Sequence, residues 1–471
     1  MKKYNVLFNT ISYVLGSFFI QGLRFLTLPF FSALMSPSEY ALMSSYEAWI
    51  SIITIFVGIQ ASASINNAYI DYGDKKIQSY VSNMGLIGFG TAVITAFVTV
   101  LGSRIFINTF ELPLGYLLLG VLQCLFSYYL TLLTTEYRIL NKAARYLAFS
   151  IINSVISVGV GMLLVWMMPN DKYVGRIYAS LIAALVVGGA ACFIIYRQGK
   201  SVYHKDHIKY ALYLSFPLVF HSLGGIILSK ADQIMLLKLM DRTEMGIYSY
   251  GTNFAHIIYV FGNACNMAYS PLYYSLKKEK NTKRIIQINK AYIKIYMFGI
   301  SAIVLLLPEI IKIMSREEYY DAMYTAPLLA AAFMVNFLYT FLVNYEFYCK
   351  KTKYIAYATA ISAVVNIMLN YLLIPWFGGI GAASATLLST LFQFMIHYYV
   401  AKRKIGDYEI SLCYFLMALL GILVLTTAYY LFICICVIRF VFAIITFLVC
   451  IYCLWKSKDI LRGMAGGSHV N

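Results

Sequence analysis

Apolar runs long enough to cross a bilayer recur along the whole chain, and most of the charges sit in the short gaps between them. A hydrocarbon core is about 30 Å thick, so a helix rising 1.5 Å per residue needs about 20 residues to cross it. The runs fall near residues 10–34, 42–65, 81–103, 113–135, 147–168, 177–196, 211–237, 246–270, 291–311, 325–349, 354–375, 379–400, 412–432 and 435–455. They are unbroken and do not alternate, which excludes an outer-membrane barrel. Of the 471 residues 61% are hydrophobic and 12% charged, against roughly 45–50% and 25% in soluble domains. One soluble core cannot hide that much apolar surface. The expected fold class is all-α integral membrane, with about 14 transmembrane helices.

The basic residues test this count through the positive-inside rule. With a cytoplasmic N-terminus, 26 of the 37 Lys and Arg fall in cytoplasmic segments and 8 in the opposite gaps, leaving Arg24, Lys230 and Lys294 in or at the edge of spans. A missed helix would invert every later gap and erase the asymmetry. Both termini are therefore expected in the cytoplasm. The net charge of +17 reads as an orientation signal beside anionic membrane lipids, not as a nucleic-acid surface. Met1-Lys2-Lys3 followed by an apolar run reads as a retained first helix, because no small-residue cleavage site interrupts it. The gaps leave no room for a soluble catalytic domain, and neither a phosphate-binding GxxxxGK[ST] loop nor a selectivity-filter loop is present. The expectation is a protein that is not an enzyme and holds no cofactor or metal. The nine cysteines show no metal-ligand spacing and read as small hydrophobes.

The chain resembles itself at an offset of 205, through pairs such as Ser17/Ser222, Leu34/Leu239 and Glu39/Glu244. Both copies start on helices of the same direction, as in transporters with two parallel like halves. The expected layout is two pseudo-symmetric six-helix lobes plus two C-terminal helices. Residues 1–205 hold helices 1–6, residues 206–405 hold helices 7–12, residues 406–456 hold helices 13 and 14, and 457–471 form a cytoplasmic tail.

Polar groups at membrane depth mark the candidate site, because a charge at mid-bilayer costs about 2.5–3.5 kcal/mol even on insertion scales. Ser17, Gln21 and Arg24 share one face of the first span. The second span carries Ser44, Glu47, Ser51 and Thr54 at helical spacing. The seventh holds Lys230, Asp232 and Gln233, and the eighth holds Asn253, His256 and Asn263. These are the leading pairs of the two lobes, and their stripes are expected to line a polar cavity. Glu47 and His256 could carry a proton, or could simply bond between helices. Asn366 and Asn370, with Ser362 before them, read as interhelical glue. Pro29 and Pro217 are expected to interrupt the two lead helices. Tyr72, Tyr80, Tyr203, Tyr273, Tyr274, Tyr319 and Tyr320 fit an interfacial belt.

Four stretches carry a family resemblance: Ser36-Pro37-Ser38-Glu39-Tyr40; Ala231-Asp232-Gln233 with Gly246-Ile247-Tyr248; Asn266 to Pro271 before a basic loop; and Lys350-Lys351-Thr352-Lys353 followed by Asn366, Asn370 and IPWFGGIGAASATLLS at 374–389. Their order along the chain resembles polysaccharide-unit (O-antigen or capsule repeat-unit, Wzx-like) flippases of the multidrug/oligosaccharidyl-lipid/polysaccharide exporter superfamily. The resemblance implies a multi-pass protein of the bacterial cytoplasmic membrane. It implies alternating-access export of undecaprenyl-diphosphate-linked oligosaccharide, with a polymerase and chain-length regulator as partners. It makes Arg24 and Lys230 candidates for attracting the diphosphate, and it brings Asp232 into the site. Coupling to a proton or sodium gradient stays open. The alternatives are a multidrug or small-metabolite antiporter of the same superfamily, a lipid II flippase, and a membrane-embedded polysaccharide polymerase.

Overall fold

A computed structural model describes residue 19 and residues 21–200, 203–406 and 408–458. Every regular element among them is helical. The chain forms two compact units, Met1–Gly246 and Ile247–Asn471.

In the first unit residues 21–26 are helical and the helix breaks at Thr27, whose hydroxyl donates to the Arg24 carbonyl at 2.8 Å. It resumes as α1 (Leu28–Leu34) with Pro29 in the first turn, where a missing N–H removes no helical bond. The expected interruption at Pro29 is therefore present, as a restart. Ser36 and Glu39 then start α2 (Pro37–Phe56) by a reciprocal capping box: the Glu39 N–H donates to Ser36 Oγ at 3.3 Å, and the Ser36 N–H to Glu39 Oε2 at 3.0 Å. Gly58, Ile59 and Gln60 all take positive φ and bend the chain by 50° through a 3₁₀ turn (Ala61–Ser64) into α3 (Ile65–Tyr72). There follow α4 (Asp74–Leu101), α5 (Ser103–Phe110), α6 (Leu114–Ile139) and α7 (Ala143–Met167). Next, α8 (Lys172–Ala183) runs through a π turn (Ala184–Gly188) into α9 (Gly189–Gly199), and α10 (Lys205–Leu239) closes the unit. Pro217 lies inside α10, which continues past it.

The boundary expected at 205/206 would make α10 the first helix of the second lobe; in the structure it packs on α2, α4 and the 3₁₀ turn. Contacts at both ends hold it there. Tyr210 donates to Asp71 and the His207 ring lies tilted against Tyr72 with 5.1 Å between centroids, while Lys238 and Arg242 reach Glu111 at 3.3 and 2.7 Å. The compact unit therefore runs on to Gly246, some forty residues beyond the lobe boundary expected at 205/206.

The next helix, α11 (Arg242–Lys278), begins against α2. A Cβ on Gly246 would stand 1.9 Å from the Pro37 carbonyl oxygen, and that atom is backbone, so it cannot swing aside. Gly246→Ala is expected to lower stability by about 1–3 kcal/mol, read as a fall in melting temperature of the purified protein. An unchanged melting curve would show that this approach is looser than described.

The second unit contains the rest of α11, then α12 (Thr282–Leu305), α13 (Leu307–Met314), α14 (Ala322–Tyr348), α15 (Thr352–Tyr399), α16 (Leu412–Leu431) and α17 (Cys436–Lys456). Gly378 breaks α15 with φ 53° and ψ −131°, a backbone conformation that side chains other than glycine's resist. The two arms turn back on each other, and small residues let them close: Ala382, Ala383 and Ala385 are fully buried. Asn366 donates to Ser389 Oγ at 3.3 Å across the arms and Asn370 donates to Asn366 Oδ1 at 3.1 Å, the role expected for these asparagines. The outer faces keep large apolar side chains exposed, among them Trp376, Leu420 and Leu423, a surface suited to lipid and not to water.

Ten helices among the described residues are long and apolar enough to cross a membrane, eleven if the bent α2–α3 pair is one span. On that measure the count of fourteen is not reached; α15 is one of the ten although Gly378 divides it. The tyrosines correct the belt expectation. Tyr80, Tyr273 and Tyr319 are at most 1% exposed and serve as core, Tyr80 bonding Ser64 at 2.7 Å.

Candidate functional site

Three charges predicted at membrane depth come together in the first unit. Lys230 lies within electrostatic reach of both Glu47 and Arg24. Their depth follows from the helices that carry them. Glu47 stands ten residues after the start of α2 and Lys230 nine before the end of α10, about 15 Å from those ends at 1.5 Å per residue; Arg24 lies on the helical stretch 21–26, before the break at Thr27 that leads into α1. The capping box joins the end of α1 to the start of α2, and the close approach of Gly246 to Pro37 brings the turn after α10 beside them.

A fourth charge joins this group that the sequence did not single out. Arg176, in the second turn of α8, lies within reach of the same Glu47 and Arg24. Its guanidinium donates to the Ser157 carbonyl at 2.8 Å and to Ser157 Oγ at 3.1 Å, and stands 5.5 Å from the Phe31 ring. Those contacts fix its direction. The start of α8 is fixed in turn by the Lys172 N–H donating to Glu39 Oε1 at 2.8 Å. Arg176 reads from sequence as a loop cation because Asp171 and Lys172 precede it. The usable signal was the length of its helix, since the 28 residues from Lys172 to Gly199 exceed the roughly 20 that a crossing needs.

Three cations and one carboxylate leave a formal charge of +2. Among the described residues Glu47 makes no direct ion pair with any of the three. Arg24 and Glu47 are exposed, Arg176 and Lys230 half-buried. The group is thus an accessible, under-neutralised cationic cluster on apolar helices, an arrangement that binds anions.

The other expected residues divide by burial. Gln21 is exposed, and Ser51 is half-buried with its hydroxyl donating to the Glu47 carbonyl at 2.7 Å. Ser17 lies outside the described residues. Lys230 donates to Gln233 Oε1 at 3.2 Å, which turns Gln233 inward. Gln233 and Asp232 are 6% and 5% exposed: two positions along from Lys230, Asp232 points away from the accessible face into the packed side of α10. In the second unit Asn253 donates back to the Ser249 carbonyl at 2.8 Å. His256 is exposed beside Tyr259, 5.3 Å between ring centroids, and Asn263 is half-buried. Among the described residues no group of three His, Cys, Asp or Glu side chains is placed to hold a metal ion.

Comparison with known proteins bears on this arrangement. Residues 6–277 match the family described as polysaccharide biosynthesis protein, and residues 217–372 match the MatE family. A Haemophilus influenzae protein named for the Lsg locus is 24% identical over 80% of this chain and 95% of its own length. Agl15 of Haloferax volcanii, named as a low-salt glycan biosynthesis flippase, is 24% identical over 83% of this chain and 82% of its own. The fold matches the lipid II flippase MurJ in an inward closed conformation, with TM-score 0.70 and 15% identity over 96% of this chain and 100% of that one. It also matches an inward-facing multidrug MATE transporter, with TM-score 0.63 and 11% identity over 82% and 94%. Flippases and transporters, not enzymes, share this architecture. The chain belongs to the family described as polysaccharide biosynthesis protein, and its multi-pass helical fold is the one seen in those flippases and transporters.

Proposed function

We propose that this protein translocates undecaprenyl-diphosphate-linked oligosaccharide repeat units across the bacterial cytoplasmic membrane, by alternating access, for O-antigen, capsule or exopolysaccharide synthesis. The observation that carries the reading is the +2 cluster of Arg24, Arg176, Lys230 and Glu47 on apolar helices. A glycan carried on a lipid diphosphate presents two phosphates at the junction of a polar and an apolar part. A cationic group about 15 Å inside helices whose outer faces suit lipid meets that junction, with the polyprenyl chain left in the bilayer. Arginine adds a planar fork matched to phosphate oxygens. Family membership and the likeness to a glycan flippase support the same substrate class.

A small-molecule antiporter is the second reading, favoured by the MatE match over residues 217–372. The cluster separates the two, since a diphosphate requires it and a cationic drug would be repelled by it. On the first reading both termini are cytoplasmic, and a polymerase and chain-length regulator act on the exported unit.

The test is deletion of the gene in its native host. Surface polymer is expected to be lost, with lipid-linked units accumulating on the cytoplasmic leaflet, and both are expected to recover on complementation. Normal polymer in the deletion strain, with the units still reaching the outer leaflet, would overturn the reading.

A further inference from the structure

The second unit holds a pair of ionisable groups that the cationic cluster leaves unexplained. His397 Nδ1 and Glu346 Oε1 are 2.9 Å apart, and the two side chains are 1% and 0% exposed. They stand 51 residues apart in the chain, one in the last turn of α14 and the other in the last turn of α15. The outer atoms, His397 Nε2 and Glu346 Oε2, are also buried and have no partner among the described residues. Buried polar atoms in native proteins are nearly always satisfied. A pair built only to hold two helices would have both ends of each group engaged.

The charges at this end of the unit do not complete the pair. Lys277 and Glu409 bond each other, and Lys277 lies over the Tyr345 ring at 4.6 Å. Lys402 donates to the Tyr408 carbonyl at 3.4 Å. Tyr339 stacks on the His397 ring at 5.3 Å and brings no charge. Burial first, then Tyr269 and Glu409, push the Tyr408 phenol well above its ordinary value, so it stays neutral.

We infer that Glu346 and His397 form a proton-binding site whose occupancy drives the transport cycle. With the carboxylate ionised, Nδ1–H donates to Oε1 and Nε2 carries a bare lone pair, so the buried pair bears −1. A proton from water adds to Nε2, an N–H bond forms, and the pair becomes neutral overall as carboxylate and imidazolium. Release returns the same proton to water. A buried net charge is costly and a neutral ion pair less so. The site therefore favours one proton when shut and gives it up when a conformational change admits water. The coupling half of this inference rests on the flippase reading; proton binding itself does not.

The experiment uses the purified full-length chain in lipid nanodiscs, without substrate, and reads infrared difference spectra across a pH series. Wild type is expected to show a pH-dependent imidazole signal that H397Q removes and that E346Q moves by about one pH unit or more. A signal unchanged by H397Q, or unmoved by E346Q, would overturn the site. Should H397Q fail to fold, E346Q alone still decides. In cells, E346Q at equal abundance is expected to cut polymer export at least about tenfold; full export would overturn the coupling. If deletion of the gene leaves polymer intact, the flippase reading fails and the infrared result still stands on its own.

Discussion

Arg176→Gln is expected to reduce export of the lipid-linked glycan by about one to two orders of magnitude at unchanged protein abundance. A hydrogen bond to a charged group contributes about 1.5–3 kcal/mol, and 1.36 kcal/mol is one decade, so loss of one phosphate contact falls in that range. Arg176 is the member of the cluster held most firmly. Ser157 supplies two acceptors to one nitrogen and leaves the rest of the fork for a ligand. Arg176→Lys keeps the charge but not the fork, and should fall between wild type and glutamine. Glu47→Gln raises the cluster to a formal +3 and should preserve or tighten binding of the anion. A merely structural arginine would not order the variants this way. The direct measurement is thermal shift of the purified protein by inorganic pyrophosphate, present in wild type, reduced in Arg176→Gln and retained in Glu47→Gln. Equal shifts in all three proteins would remove the cluster from the binding path.

Much of this was legible in the sequence because charges stand out against apolar runs. Arg24, Glu47 and Lys230 were visible as isolated charges in mid-span, and the capping box was visible as Ser36 followed by Glu39. Gly378 sits between two runs, so the turn in α15 was legible as well. What stayed hidden depended on partners far away in the chain. Arg176 looked like part of a loop until α8 proved to start at Lys172. Glu346 and His397 each lie in a last helical turn beside basic loops, and neither was singled out from the sequence. Only the return of α15 brings them together. Asp232 and Gln233 were expected in the polar cavity together with Lys230, yet both are buried: spacing shows that Asp232 faces away from Lys230, while how deeply either packs depends on neighbouring helices that the sequence does not name. For Tyr80, Tyr273 and Tyr319, three of the seven tyrosines expected in a belt, the expectation failed for a related reason. An amphipathic ring suits an interface and a hydrogen-bonded core equally, and Tyr250, donating to the Met314 carbonyl at 2.6 Å, shows the second use.

Arg439→Met is expected to lower stability by about 3 kcal/mol, because it removes a buried guanidinium, leaves the half-buried Glu309 carboxylate without its partner and breaks four donated bonds at once. From sequence Arg439 was one more cation in a short gap. In the structure it is 3% exposed, inside the first turn of α17. Its guanidinium forks onto both oxygens of Glu309 at 2.8 and 2.5 Å and also donates to the Leu305 and Phe432 carbonyls at 3.1 and 2.9 Å. One side chain thus ties the start of α17 to the end of α12, the beginning of α13 and the end of α16. The sequence reading set the last two helices apart as an appendage, yet α17 packs along α12, so Arg439 fastens them into the second unit. Arg439→Lys keeps a charge but cannot span the four acceptors, and should recover less than half of the loss. The informative variant is the double Arg439→Met/Glu309→Leu. Removing both charges leaves no buried ion behind, and such replacements are often neutral. The double variant should therefore melt closer to wild type than Arg439→Met alone, a non-additivity that a double-mutant cycle measures. Additive losses would mean that the pair is too wet to matter and that apolar packing along α12 alone holds α17 in place.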